Sequence, residues 1–172
     1  WITGAYIIKT PNGMDKVTGV SECVSHIWKA RESILDRLHE SLAKDESSLE
    51  ATWLILRDYP YMGPFMAYEV VTDWRHTWLG DEAEDIWTWA NPGPGAKRGL
   101  NRIYDRPVDK HVRSPQNIVE MQELLKISED FLHGQVPDLE MRDIEHSLCE
   151  FDKYERVRLG QGKPRSLYKN NK

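Results

Sequence analysis

At 172 residues the chain is long enough for one domain with a real core, or one domain with a tail. No apolar run approaches membrane-spanning length and no signal-peptide pattern opens the chain. Cys23 and Cys149 are too few for a disulfide framework or a cysteine-based zinc site, so an intracellular, reducing compartment is expected. The net charge of −5 argues mildly against a nucleic-acid partner, but it is unevenly spread. Residues 97–113 carry six basic and two acidic side chains and residues 153–172 carry seven and one, so the local field leaves DNA open. Starting at Trp1 rather than methionine, the chain is expected to be a processed product or a piece of something longer.

In chain order, residues 1–9 alternate loosely around Tyr6, Ile7 and Ile8, a short extended arm ended by Pro11-Asn12-Gly13. Residues 21–43 repeat Val24, Ile27, Trp28, Ile34, Leu35, Leu38 and Leu42 at helical spacing, with Ser21 as cap. Ser47 and Ser48 open a second helix through Trp53, Leu54 and Leu56, stopped by Tyr59-Pro60. A third spans 64–77 and is apolar on most sides, hence expected to be central and buried. Residues 81–90 and 96–104 read as two helices joined by Asn91-Pro-Gly-Pro-Gly95, a helix-hairpin-helix. Ser114-Pro115 starts a helix to Leu132 closed by His133-Gly134, and Pro137-Asp138 starts the last, through Leu139, Ile144, Leu148 and Phe151. The architecture expected is an all-α orthogonal bundle of DNA glycosylase-like type over residues 1–159, with a basic tail at 160–172.

Glycine in the hairpin lets the backbone approach a ligand, and the helix that follows starts with free N–H groups pointing outward. Gly93 and Gly95 would hold a DNA phosphate there, with Lys97, Arg98 and Arg102 adding charge. The alternative is an ordinary turn between two helices.

Three groups could carry chemistry. Glu69, Asp73 and His76, with Arg75 beside them, fall roughly on one face of an apolar helix, where charges need a pocket or an ion-pair network. On the last helix Asp143, His146 and Glu150 share one face, and Glu145, Cys149 and Asp152 a neighbouring one; a solvated face is the plain explanation for most of them. The segment Val108-Asp-Lys-His-Val-Arg113 is similar to the stretch bearing the catalytic aspartate of helix-hairpin-helix DNA glycosylases, with Asp109 nearer the hairpin than in that family. The pairs Asp73/His76 and Asp143/His146 raise a di-metal site, but aspartate is shorter than the usual glutamate and no metal is expected. No GxxxxGK[ST], GxSxG or HExxH occurs; Gly160-Gln-Gly-Lys163 is not a P-loop, because no Ser or Thr follows the lysine.

Three stretches carry a family resemblance: Phe65-Met-Ala-Tyr-Glu-Val-Val-Thr-Asp73, Asn91-Pro-Gly-Pro-Gly-Ala-Lys-Arg-Gly-Leu100 and Ile144-Glu-His-Ser-Leu-Cys-Glu-Phe-Asp-Lys-Tyr154. They resemble the helical domain of phage thymine-hypermodification proteins. That family includes the α-glutamyl/putrescinyl-thymine pyrophosphorylases (amino acid:DNA transferases) and the helical domain of 5-hydroxymethyluracil DNA kinases. The resemblance implies double-stranded DNA carrying modified thymine as partner, an amine or amino-acid donor, and no cofactor. It implies replacement of the pyrophosphate on 5-hydroxymethyluracil by an amine. Arg75, Arg98 and Lys153 would take the leaving group's charge, and Asp73, His146 or Glu150 would act as general base. Trp74, Trp87 or Trp89 would stack on a base, though core packing suits them as well. Two alternatives stand beside this: a DNA-binding helical domain of a kinase whose P-loop domain is separate, and a DNA glycosylase relative using Asp109. For a catalytic site, the last helix is expected to pack on the third and bring His146 and Glu150 to Asp73 and Arg75 across one pocket.

Overall fold

The computed structural model describes residues 10–11, 13–42 and 48–163; the expected N-terminal arm and most of the basic tail lie outside the described residues. Within them the chain forms six helices and no strand: α1 Lys16–Leu42, α2 Leu49–Leu56, α3 Pro64–Trp74, α4 Pro94–Ile103, α5 Ser114–Leu132 and α6 Met141–Arg158. The all-α class is as expected, and none of these helices is long and apolar enough to cross a membrane.

Helix ends depart from the sequence pattern where capping groups decide them. α1 starts at Lys16 rather than near Ser21, because the Asp15 carboxylate accepts the N–H groups of Val17 and Thr18 at 2.9 and 3.1 Å. That cap offsets a first stretch, Lys16-Val-Thr-Gly-Val20, of weak helix formers. At α2, Ser48 Oγ accepts from Ala51 N–H at 2.9 Å as expected. The Asp85 carboxylate reaches across the fold to the N–H groups of Leu49 and Glu50, at 2.7 and 2.9 Å. α6 begins at Met141, where the Glu140 N–H donates to Asp143 Oδ2 at 2.9 Å, rather than at Pro137.

Residues 81–90 are the main correction to the expected architecture. They form a succession of turns, with one i→i+4 bond from Trp89 N–H to the Asp85 carbonyl. Their polar groups serve distant partners instead of a helix of their own: the Ile86 carbonyl accepts from Met141 N–H at 3.2 Å and the Thr88 carbonyl from Gln122 Nε2 at 2.8 Å. The Gly-Pro-Gly stretch therefore follows turns and opens α4, with Gly93 at the N-cap and Pro94 in the first turn. α3 is also less enclosed than expected. It buries Ala67, Tyr68, Val71 and Thr72, while Phe65, Val70 and Asp73 on its other side are exposed.

Two apolar clusters fill the interior. One gathers Ile34 and Leu38 of α1, Ile55 and Leu56 of α2 and Val71 of α3 over Ile86; the other gathers Leu100, Met121, Leu125, Ile144 and Leu148 of α4, α5 and α6. Trp53 and Trp89 pack against both, their ring centroids 5.8 Å apart. α4 makes its most extensive contact with α6. A Cβ on Gly95 would lie 2.6 Å from Cys149 Sγ, and one on Gly99 would lie 2.5 Å from the Leu148 carbonyl oxygen. The two glycines, one turn apart, let the helix backbones approach more closely than any side chain permits.

Candidate nucleic-acid interface

The closeness of α4 and α6 brings a buried acid into a ring of arginines. Asp152 is wholly buried on α6. Its Oδ2 accepts from Arg98 Nε at 2.8 Å and its Oδ1 from Arg102 Nε at 3.1 Å, and Arg156 Nε lies 3.6 Å from Oδ2. Three guanidinium charges meet one carboxylate, an excess of two positive charges that the Asp152 partnership does not neutralise. Each arginine turns its Nε to the carboxylate, and Arg102 also donates from Nη2 to Gln161 Oε1 at 2.9 Å. Arg98 and Arg156 stay partly accessible, with side chains 29% and 44% exposed, and a guanidinium that keeps such access can meet a phosphate.

A second, acidic site lies at the start of α4. The Gly93 N–H donates to Glu145 Oε1 at 3.0 Å, and Glu145 is 6% exposed. Burial first, and the Glu69 carboxylate in the same direction, push the Glu145 carboxyl above its ordinary value, against the pull of the Gly93 N–H, His146 and Lys153. Tyr68 of α3 sits beside it with a buried hydroxyl whose oxygen has the Asn91 backbone N–H near it and whose O–H meets no acceptor among the described residues. Burial raises its phenol, and the Glu145 and Glu69 charges add to that. The Tyr68 ring stands edge-on to Trp89 at 5.8 Å and to His146 at 6.4 Å. Burial also pushes the Cys149 thiol up, so it stays protonated near neutrality.

The family model described as 5-hmdU DNA kinase, helical domain, matches residues 2–163. The chain belongs to that family. No curated protein matches the chain, and no solved structure does either. This description agrees with the kinase reading better than with the amine transferase.

In this kinase helical domain the residues expected to carry function are distributed differently from the sequence reading. Asp73 and His76 are exposed, and it is Tyr68 rather than Asp73 that α3 presents to His146. Arg75 is engaged at the start of α6, donating from Nη2 to Glu140 Oε1 at 2.7 Å. Glu150 and Lys153 pair with each other on the exposed side of α6. No hydrogen bond or ion pair among the described residues joins Asp73 or Arg75 to His146 or Glu150; α6 packs chiefly on α4 and turns Glu145 and Asp152 inward. Among the described residues the two Asp-x-x-His pairs do not join any cluster of three or more metal-ligating side chains.

The hairpin residues change place as well. Gly93 gives its N–H to Glu145, Gly95 faces Cys149, and Lys97 is exposed. Arg98 and Arg102 do converge, on Asp152. Asp109 is exposed in a turn pinned by Asn101, whose Nδ2 donates to the Val108 and Lys110 carbonyls at 2.8 and 2.9 Å. Tyr68 and Arg156 are not legible as site residues in the sequence, and Glu145 and Asp152 stand there only on a second face of the last helix, without an assigned role. The available signal was the seven-residue interval from Glu145 to Asp152, which puts both acids on the face that carries Leu148.

Proposed function

We propose that this chain is the DNA-binding helical domain of a 5-hydroxymethyluracil DNA kinase, presenting the modified base to a phosphotransferase domain with its own nucleotide site. The observation that carries it, beside family membership, is the arginine excess around Asp152. Positive charge held on a buried acid is fixed in place, so little ordering remains to be done when a phosphate arrives. The sequence here has no P-loop motif, so a nucleoside triphosphate would be held by a partner domain.

Arg156→Ala is expected to weaken binding to duplexes of any sequence alike and to flatten the slope of log affinity against log salt by about one unit, the signature of one lost phosphate contact. Titrations of parent and variant at several salt concentrations check it. Equal slopes and affinities would show that DNA does not touch the cluster.

Exchange of pyrophosphate for an amine is a second reading, favoured by the raised carboxyl of Glu145, a group suited to take a proton from an incoming ammonium. Nucleoside mass spectrometry of pyrophosphorylated 5-hydroxymethyluracil DNA, incubated with the chain and a pool of amines, separates the two. The kinase reading expects no amine adduct.

A further inference from the structure

The acid site at the start of α4 plays no part in holding a backbone phosphate, since its carboxylates would repel one. Its composition suits a different group. Glu145 offers a carboxylate beside the Gly93 N–H, and Glu69 stands near it. Tyr68, 4% exposed, has the Asn91 backbone N–H beside its phenolic oxygen, while its own O–H meets no acceptor among the described residues. A buried O–H left without an acceptor is costly, and its retention points to a ligand that completes it. Glu69, Asn91 and His146, which surround these groups, are partly or fully exposed. The Tyr68 ring packs edge-on against both Trp89 and His146, which restrict its movement towards water.

We propose that Glu145 and Tyr68 receive the hydroxymethyl group of a pyrimidine turned out of the DNA stack, its hydroxyl donating to Glu145 and accepting from Tyr68. The inference rests on the reading of the chain as a DNA-binding domain. A hydroxyl is donor and acceptor at once, which matches an acceptor carboxylate facing a donor phenol. The methyl group of thymine at the same place would strand both buried partners, and sites of that kind discriminate strongly. Extrusion also brings the substituent clear of the groove, where another domain can act on it. The guanidinium cluster further along α4 and α6 would hold the nucleotide's backbone, leaving recognition to the acid site.

The test uses two duplexes identical except for one 5-hydroxymethyluracil in place of one thymine, titrated with the chain by fluorescence anisotropy. The parent is expected to prefer the hydroxymethyl duplex by roughly tenfold or more. Tyr68→Phe and Glu145→Gln, both close in shape to the native side chains, should each bring the ratio towards one by weakening the hydroxymethyl duplex. Glu69→Gln, on a half-exposed side chain, gives a third variant should either of the others fail to fold by circular dichroism. Arg156→Ala should weaken both duplexes in proportion. If the parent binds the two equally well, or if the folded variants keep the full preference, Glu145 and Tyr68 do not read the hydroxyl and the proposal falls while the DNA-binding reading stands. Failure to bind either duplex overturns the DNA-binding reading, and this proposal with it.

Discussion

Asp152→Ala is expected to lower the midpoint of thermal unfolding on the order of 10 °C. The carboxylate is wholly buried and holds Arg98, Arg102 and Arg156, of which Arg102 has a side chain only 8% exposed. Removing one partner of such a buried pair costs about 3–5 kcal/mol, because the charge left behind is neither solvated nor matched. In a chain of this length each kcal/mol moves the midpoint by about 2–4 °C. Here three cations would also repel one another where α4 meets α6. Asp152→Asn keeps the shape and some of the hydrogen bonds, so it should fall between parent and alanine variant. Calorimetry checks the order, and a midpoint for Asp152→Ala within about 2 °C of the parent would show that the arginines find other partners without difficulty.

Gly99→Ala should also destabilise the fold, by about 1–3 kcal/mol, against the usual sense of glycine replacement in a helix. An alanine inside a helix is ordinarily favoured over glycine by about 1 kcal/mol. At Gly99 the new methyl would stand 2.5 Å from the Leu148 carbonyl oxygen, a backbone atom that cannot move without shifting α6. At Gly95 the obstruction is Cys149 Sγ, at 2.6 Å, a side-chain atom that can turn aside, so Gly95→Ala should cost less. Urea unfolding of both variants gives the comparison, and a Gly99→Ala protein more stable than the parent would mean that the two helices have room to separate. Gly95, which the sequence pattern suggests for the approach of a phosphate, lies on the α6 side of α4 and packs against Cys149.

Helices were legible in the sequence wherever apolar spacing and local capping agree, as in α2 with Ser48 and α5 between Ser114 and Leu132. Residues 81–90 were not, because their conformation is settled by Met141 and Gln122, which hydrogen-bond their carbonyls from far along the chain. The charges of α6 posed the same difficulty. Glu145, Glu150, Asp152 and Lys153 crowd two turns, and the spacing that sets Glu145 and Asp152 on the Leu148 face is outweighed locally by their charge; the approach of α4, permitted by Gly95 and Gly99, turns them inward. Arg98 and Arg102 were legible as a cationic pair at helical spacing, whereas their common anchor, Asp152, lies fifty residues or more away. Asp73 drew attention as a charge in an apolar helix, yet α3 is open to solvent on that side.

The glycine contact has one more consequence. Glu145 and Asp152 are seven residues apart on one unbroken helix, which fixes their separation along its axis at about 10 Å. With α4 pressed against that helix, the acid site and the arginine cluster belong to a single stiff body and cannot slide past each other. The pair of helices is therefore a gauge. Any strand that engages both ends must adopt the spacing the protein sets, so adjustment falls to the DNA rather than to the domain.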